Sequence, residues 1–180
     1  LNSFYKKYNQ LDSDNIINGE HVPSLHDMFI EMDWDNIANG IPCRFHGDFH
    51  FENILWTEHN ETFSFLDWRQ DFGGNLEIGD IYYDLSKLMH GLIVNHQIIH
   101  NNNYSVDWKN SEIEYTLLRK QILVECEDRL NYWCITNKFD LKKIRILTAL
   151  IYLNIAVLHE DPYSILLYAL GKRMLYSELN

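Results

Sequence analysis

A polar segment between apolar runs constrains the fold of this chain more than any other part of the sequence. It begins at His46-Gly47-Asp48, and Asn53 follows Asp48 by five positions. The apolar runs at 54–56 and 62–66 flank a polar turn, and Asp67 follows the second run directly. Two short apolar runs joined by a polar turn are typical of a β-hairpin. The hairpin is expected to return Asp67 to the side of Asn53.

Three ordered segments carry a family resemblance. His46-Gly47-Asp48 with Asn53 is followed by Leu66-Asp67-Trp68 and then by the segment 79–88, which contains two further Asp residues. In order and spacing they resemble the aminoglycoside phosphotransferase and choline kinase family, whose fold is similar to that of protein kinases. Any one segment alone is a weak signal, whereas the ordered set of three is specific.

The resemblance implies transfer of a phosphoryl group from ATP, or another nucleoside triphosphate, to a hydroxyl group. In kinase-like enzymes the first Asp accepts the proton of the hydroxyl, while the Asn and the second Asp hold Mg²⁺. By this resemblance Asp48 is the catalytic residue, and Asn53 and Asp67 are the metal ligands. Mg²⁺ prefers oxygen ligands and keeps several waters, so two protein groups plus phosphate oxygens suffice.

Three residues are expected to support the site rather than react. The resemblance implies that Asp80 and Asp84 brace the catalytic loop, and Asp80 also suits the N-terminus of a helix. The ring of His46 is expected to hydrogen-bond the backbone near Asp67 and so to hold the loop in shape.

His50, Glu52 and Arg69 are candidates for substrate contact, and a plain surface position stays open for His50. Arg69 departs from the family pattern, in which many members carry an acidic residue there. The substrate class therefore stays open among an amino sugar, a choline-like amino alcohol and another small hydroxylated metabolite.

The family places a nucleotide-binding lobe before these motifs, whereas only 45 residues precede His46 and the first is Leu1. Residues 1–180 are accordingly expected to form one domain, the C-terminal lobe, with the N-terminal lobe as a missing partner. This chain alone is expected to bind Mg-ATP weakly and to show little transferase activity. A non-catalytic binding module is the alternative, although the retention of Asp48 and Asp67 favours half of an enzyme.

Net charge and apolar content limit the partners and the cellular location that are expected for this chain. The net charge is −11, from 15 basic and 26 acidic residues, which argues against nucleic acid and anionic membranes as partners. The negative charge is mildly compatible with a cationic substrate, although ordinary solubility is the preferred explanation. The three cysteines have no metal-like spacing, and no apolar run approaches membrane-spanning length, so a reducing cytoplasm is expected.

The expected fold class is mainly α with one short β-hairpin (α+β), as in a kinase-like C-terminal lobe. Residues 12–20 are expected to form turns and residues 97–110 a loop. Helices are expected at 1–10, from Ser24 to Asn39-Gly40, from Asp80, from the capping-box pattern at 111–114 to about Asn137, from Asp140, and from Asp161-Pro162.

The nine histidines suggest one rival hypothesis. His46, Asp48 and His50 alternate along the chain and could ligate the metal of a hydrolase. A second matching cluster is absent from the sequence, so the phosphotransferase interpretation is preferred. His90, His96 and His100 are expected to be solvated surface residues.

Overall fold

Helices account for about half of the chain in the computed structural model, which describes residues 1–180. They are α1 Asn2–Lys7, α2 Leu25–Glu31, α3 Trp34–Ala38, α4 Ile81–Ile93, α5 His96–His100, α6 Gln121–Thr136, α7 Leu141–Ala156 and α8 Tyr163–Leu179. Side chains of Ser24, Asp33, Asp80, Asn95 and Asp140 cap the helices that follow them. Each cap accepts a hydrogen bond from a backbone N–H group that has no partner within its helix. None of the helices combines the length and apolar character needed to cross a bilayer.

Eight short strands form three small sheets. They are β1 Asn15–Ile17, β2 Glu20–Val22, β3 Pro42–Cys43, β4 Ile54–Thr57, β5 Thr62–Phe65, β6 Gly79–Asp80, β7 Tyr104–Lys109 and β8 Glu112–Leu117. One sheet has the order β2-β1-β8-β7, and the other two are the pairs β3-β6 and β4-β5. The architecture is therefore α+β.

Two apolar clusters hold these elements together. In the larger one, α1, α2, α7 and α8 pack with the four-stranded sheet around fully buried Tyr152 and Tyr168. In the smaller one, Met89 and Leu92 of α4 pack with side chains of α6 and α7. This packing fixes the buried face of α4, and the helix forms a rigid support for the loop that precedes β4.

Several sequence predictions are confirmed. The β4-β5 hairpin forms with Ile54 opposite Phe65. Helices begin directly after Ser24, Asp80, Asp140 and Pro162, and α1 lies within the first ten residues. The helix that begins after Ser24 ends earlier than predicted, at Glu31, because Asp33 caps a separate short helix.

The prediction of a single hairpin was wrong, because residues 104–117 form two strands and not a loop followed by a helix. The pattern at 111–114 has the letters of a capping box, yet alternate residues of β7 and β8 face inward. Ile113 is fully buried and pairs with Ile17 of β1. The burial of alternate side chains therefore favours strands here and outweighs the local sequence signal for a helix.

Residues 12–20 also contain strands rather than turns alone. Asn18-Gly19 connects β1 to β2, and both residues have positive φ, 48° and 77°. Asn-Gly between two short apolar segments is the strongest local signal for a two-residue hairpin, and the sequence interpretation missed it. Ile17 and Val22, on either side of the turn, are fully buried.

The burial of Lys172 gives a testable dependence of stability on pH. Its Nζ donates to Ser13 O and Asn15 Oδ1, both at 2.6 Å, and no carboxylate pairs with it. Burial lowers the pKa of Lys172 to about 8. Between pH 8 and about 10.4, the usual lysine pKa, the unfolded chain binds a proton that the folded chain lacks, so the free energy of unfolding rises with pH.

We expect this rise to disappear in Lys172→Met. Between pH 8 and about 10.4, the free energy of unfolding of wild type should rise relative to that of the variant by up to about 3 kcal/mol. This follows from a difference of about 1.36 kcal/mol per pKa unit. Urea unfolding at pH 8.0 and 9.5 measures the difference, with Lys142→Met, an exposed lysine on α7, as the matched control. A constant difference between wild type and Lys172→Met at the two pH values would contradict the prediction.

Candidate active site

The first turn of α4 holds the loop from His46 to Asn53 in place. Asp84 accepts the backbone N–H groups of His46 at 2.7 Å and Gly47 at 2.8 Å. Gly47 has φ +80°, and a Cβ atom there would come within 2.6 Å of the Arg69 side chain. Only glycine suits this position, because it combines a left-handed conformation with close approach of another chain segment.

The hairpin returns to the same loop, as the sequence predicted. Leu66 N donates to Asn53 O at 2.8 Å, and Arg69 N donates to His46 O at 2.9 Å. Asn53 and Asp67 consequently line one cavity of about 760 Å³, together with Asp48. The structure therefore brings together the predicted catalytic residue and both predicted metal ligands.

Asp48 is a buried carboxylate surrounded by three cationic or ionisable groups. Its Oδ1 lies 2.7 Å from Lys87 Nζ, and its Oδ2 lies 3.1 Å from Arg69 Nη2 and 3.8 Å from His50 Nε2. His50 and Lys87 hold the pKa of Asp48 well below its usual range, against the opposing effect of burial. Lys87 makes the closest of the three contacts. The carboxylate is therefore ionised and fixed in orientation.

His50 and Glu52 form a second polar group beside Asp48. His50 Nδ1 lies 3.0 Å from Glu52 Oε2. The two side chains form an ion pair when His50 is protonated, but the geometry is not that of a hydrogen bond. Asp48 first and then Glu52 raise the pKa of His50 to about 9, and His50 in turn lowers the pKa of Glu52. Glu52 Oε1 also accepts the backbone N–H of His96 at 2.9 Å. Both residues lie in the cavity wall, where contact with a substrate is sterically open.

The oxygen atoms of Asn53 and Asp67 fit a Mg²⁺ ion. Asn53 Nδ2 donates to Asp48 O at 2.9 Å, so its Oδ1 stays without a partner in the chain. The carboxylate of Asp67 is exposed and makes no hydrogen bond or ion pair. Two unengaged oxygen donors at one cavity match the preference of Mg²⁺ for oxygen ligands and retained waters.

The rival histidine cluster does not form. No group of three His, Cys, Asp or Glu side chains is placed to hold a metal ion. The His46 ring packs against Trp68 with centroids 4.9 Å apart, away from His50. Its Nδ1 accepts the backbone N–H of Asp48 at 3.2 Å, and its buried Nε2 has no partner. The predicted hydrogen bond from this ring to the backbone near Asp67 was therefore wrong.

Sequence reasoning gave Lys87 no role, although the structure places it against Asp48. A signal was present, because Asp80, Asp84, Lys87 and Gly91 recur on one helical face. That face of α4 lies under the catalytic loop, and a Cβ atom at Gly91 would come within 2.9 Å of His50 Cβ. At the start of α4, the Asp80 side chain caps the helix and also accepts a hydrogen bond from the backbone N–H of Ile41 at 3.0 Å.

The expectation that His90, His96 and His100 are solvated surface residues is confirmed for His96 and His100, which are exposed, and was wrong for His90. All three line the cavity, and His159 and Tyr163 join them from the α7-α8 connection and the start of α8. His90 is half-buried, and both of its ring nitrogens are buried without a partner. Nothing in the spacing of these residues along the chain indicates that they meet.

A phosphoryl-transfer site on an α+β scaffold is the class that the loop, the hairpin and the bracing helix define. The model of the phosphotransferase enzyme family (APH) matches residues 10–109, which is more than half of the chain. The chain belongs to this family, and the resemblance to aminoglycoside phosphotransferases and choline kinases is confirmed at family level. The match includes the catalytic loop, the hairpin and α4. No curated protein and no solved structure matches the chain.

Proposed function

We propose that this chain carries the catalytic and acceptor-binding half of a kinase-like enzyme. The enzyme transfers a phosphoryl group from ATP, or another nucleoside triphosphate, to a hydroxyl group of a small molecule. One observation carries the proposal: Asp48, Asn53 and Asp67 share one cavity, and Asp84 holds the loop of Asp48 from beneath. Membership of the phosphotransferase family supports the same reaction class.

In this proposal Asp48 orients the acceptor hydroxyl and accepts its proton. The low pKa of Asp48 makes it a weak base, so the proton moves late, once the bond to phosphorus has begun to form and the hydroxyl has become acidic. Lys87 and Arg69 hold the carboxylate in one orientation. Positioning and charge neutralisation then account for most of the acceleration.

Asn53 and Asp67 would hold Mg²⁺, whose charge would neutralise the phosphate oxygens when it is bound. The unengaged oxygen atoms of both residues support this role. Arg69 lines the cavity, is more than half exposed and uses one nitrogen for Asp48, so its remaining donors are available for a contact with substrate or phosphate. His46, Asp80 and Asp84 are proposed to support the loop.

We propose further that a nucleotide-binding lobe outside residues 1–180 completes the enzyme. The hairpin supports this idea, because its outer face carries exposed Trp56, Phe63 and Phe65 beside the active site. These rings and their neighbours line an apolar depression of about 540 Å³. An exposed apolar surface of this kind marks a site of contact with another structural element.

The test is a screen for phosphoryl acceptors with the complete enzyme. We expect Mg²⁺-dependent transfer from ATP or GTP to at least one small hydroxyl compound, detected by mass spectrometry as the phosphorylated product. Omission of Mg²⁺ and addition of a chelator provide the matched controls. A ligand that binds in the cavity without transfer from either nucleotide would favour the alternative, a non-catalytic binding module.

A further inference from the structure

The cavity has two chemically different walls. The catalytic-loop wall carries all three of its carboxylates, Asp48, Glu52 and Asp67. The other wall carries none, although four separate segments of the chain contribute polar side chains to it. These side chains are His90 from α4, His96 and His100 from α5, His159 from the α7-α8 connection, and Tyr163 from α8. We call this set the histidine wall.

In the proposed function, none of the three carboxylates is available to pair with a substrate ammonium group. Asp48 is paired with Lys87 and Arg69, and Glu52 contacts His50 and the backbone of His96. Asp67 has the role of metal ligand in the proposed function. A substrate ammonium group in this cavity would lose its hydration without gaining an anionic partner, which is unfavourable.

The histidine wall instead offers donors to oxygen atoms. Both ring nitrogens of His90 are buried and unpartnered, so after rotation of the ring toward the cavity one could donate to a ligand oxygen and the other accept from a hydroxyl. An unpartnered buried imidazole is costly unless a ligand or water engages it. His96, His100 and His159 are exposed at the mouth of the same cavity. The Nδ1 atoms of His96 and His100 lie near Glu52 and Asn101, at 3.8 and 3.2 Å, and their Nε2 atoms have no partner in the chain.

A metal ion does not explain this wall. His96 and His100 are four residues apart on α5, which is a common spacing for metal ligands. However, no group of three potential ligands in the chain has the geometry to hold a metal ion. The arrangement therefore suits a larger, oxygen-rich ligand better than an ion.

We propose that the acceptor is a hydroxylated compound that carries a phosphate or carboxylate group and no ammonium group, with its anionic group against His96, His100 and His159. This inference rests on the proposed function, because Asp67 is reserved for the metal there. It excludes the amino sugars and choline-like amino alcohols that the family resemblance alone leaves open. His90 would then contact a hydroxyl group deeper in the cavity.

The test compares four probes that share one pyranose ring, in the complete protein without nucleotide and with saturating Mg²⁺, so that Asp67 keeps its proposed role as metal ligand. They are glucose 6-phosphate, glucuronate, glucose and glucosamine, and binding is followed through the imidazole NMR signals. We expect at least one of the two anionic probes to bind about tenfold or more tighter than glucosamine, a factor equivalent to about one ion pair of 1.4 kcal/mol. The comparison of the two anionic probes distinguishes phosphate from carboxylate recognition.

The double variant His100→Gln/His159→Gln should weaken the anionic probes about tenfold and leave glucosamine unchanged. Burial lowers the pKa of His159, but a bound anion favours the protonated imidazole, and Gln cannot become cationic. His26→Gln, at an exposed histidine on α2 outside the cavity, is the matched control. Equal or tighter binding of glucosamine, binding of neither anionic probe, or anionic binding unaffected by the double variant would overturn the inference.

The two proposals fail separately. Phosphoryl transfer to an amino compound would leave the proposed function standing and refute the inferred substrate class. Tight binding of an anionic probe on the histidine wall, without transfer to any hydroxyl compound, would retain the ligand class and refute the proposed function.

Discussion

Asp48→Asn is expected to lower kcat by about 10²–10⁴-fold, the usual consequence of losing a general base. Nucleotide affinity should change little, because Asp48 acts on the acceptor hydroxyl rather than on the nucleotide. The amide keeps the size of the carboxylate and can still accept a hydrogen bond from Lys87 Nζ. Steady-state kinetics of the complete enzyme, with both substrates varied, measures the effect.

This variant also leaves Lys87 without its anionic partner, so folding must be separated from catalysis. Loss of one member of a buried ion pair can cost about 3–5 kcal/mol of stability. A thermal melt of Asp48→Asn, compared with Asp71→Asn at an exposed position after the hairpin, distinguishes the two effects. If a folded Asp48→Asn enzyme kept near-full kcat, or if excess Mg²⁺ restored it, Asp48 would not be the proton acceptor.

Asp67→Asn should weaken Mg-nucleotide binding by at least about tenfold, since even groups that only support metal ligands cost about 10–100-fold in affinity. Stability should stay close to that of wild type, because the Asp67 side chain makes no hydrogen bond or ion pair. Asp67 has φ +55°, and Asn tolerates this left-handed conformation as well as Asp does. The backbone of the site is therefore expected to persist.

A magnesium titration separates the two carboxylates. Raising Mg²⁺ should recover part of the activity of Asp67→Asn and none of the activity of Asp48→Asn, since only the former has lost a metal ligand. Calorimetric titration of the complete enzyme with Mg-nucleotide gives the affinity independently of turnover. An unchanged Mg²⁺ requirement in Asp67→Asn would remove Asp67 from the proposed metal site.

The sequence alone determined the features that depend on a few neighbouring residues. The loop at His46–Asn53, the hairpin that follows it and the start of α4 at Asp80 were all predictable. Each is specified locally, by turn chemistry, by capping side chains or by the fixed order of residues in the motif. The family assignment rests on the same local pattern and on its order along the chain.

Only the tertiary structure decided which distant side chains face the site. The strands β7 and β8 form because Ile113 is buried against Ile17, and this long-range gain outweighs the local capping signal. Lys87 reaches Asp48 because the packing of α4 against α6 and α7 fixes which face of the helix lies under the loop.

The histidine wall shows the same limit most clearly. His90 and His159 meet at one cavity although they are far apart in the sequence. The net charge of −11 is compatible with a cationic substrate, but Asp48 and Glu52 in the cavity are already paired, and Asp67 is the proposed metal ligand. The net charge does not show which charged side chains are already paired with one another. A substrate interacts with the few groups in the cavity that remain unpaired. Those groups are set by packing between helices, which no local pattern encodes.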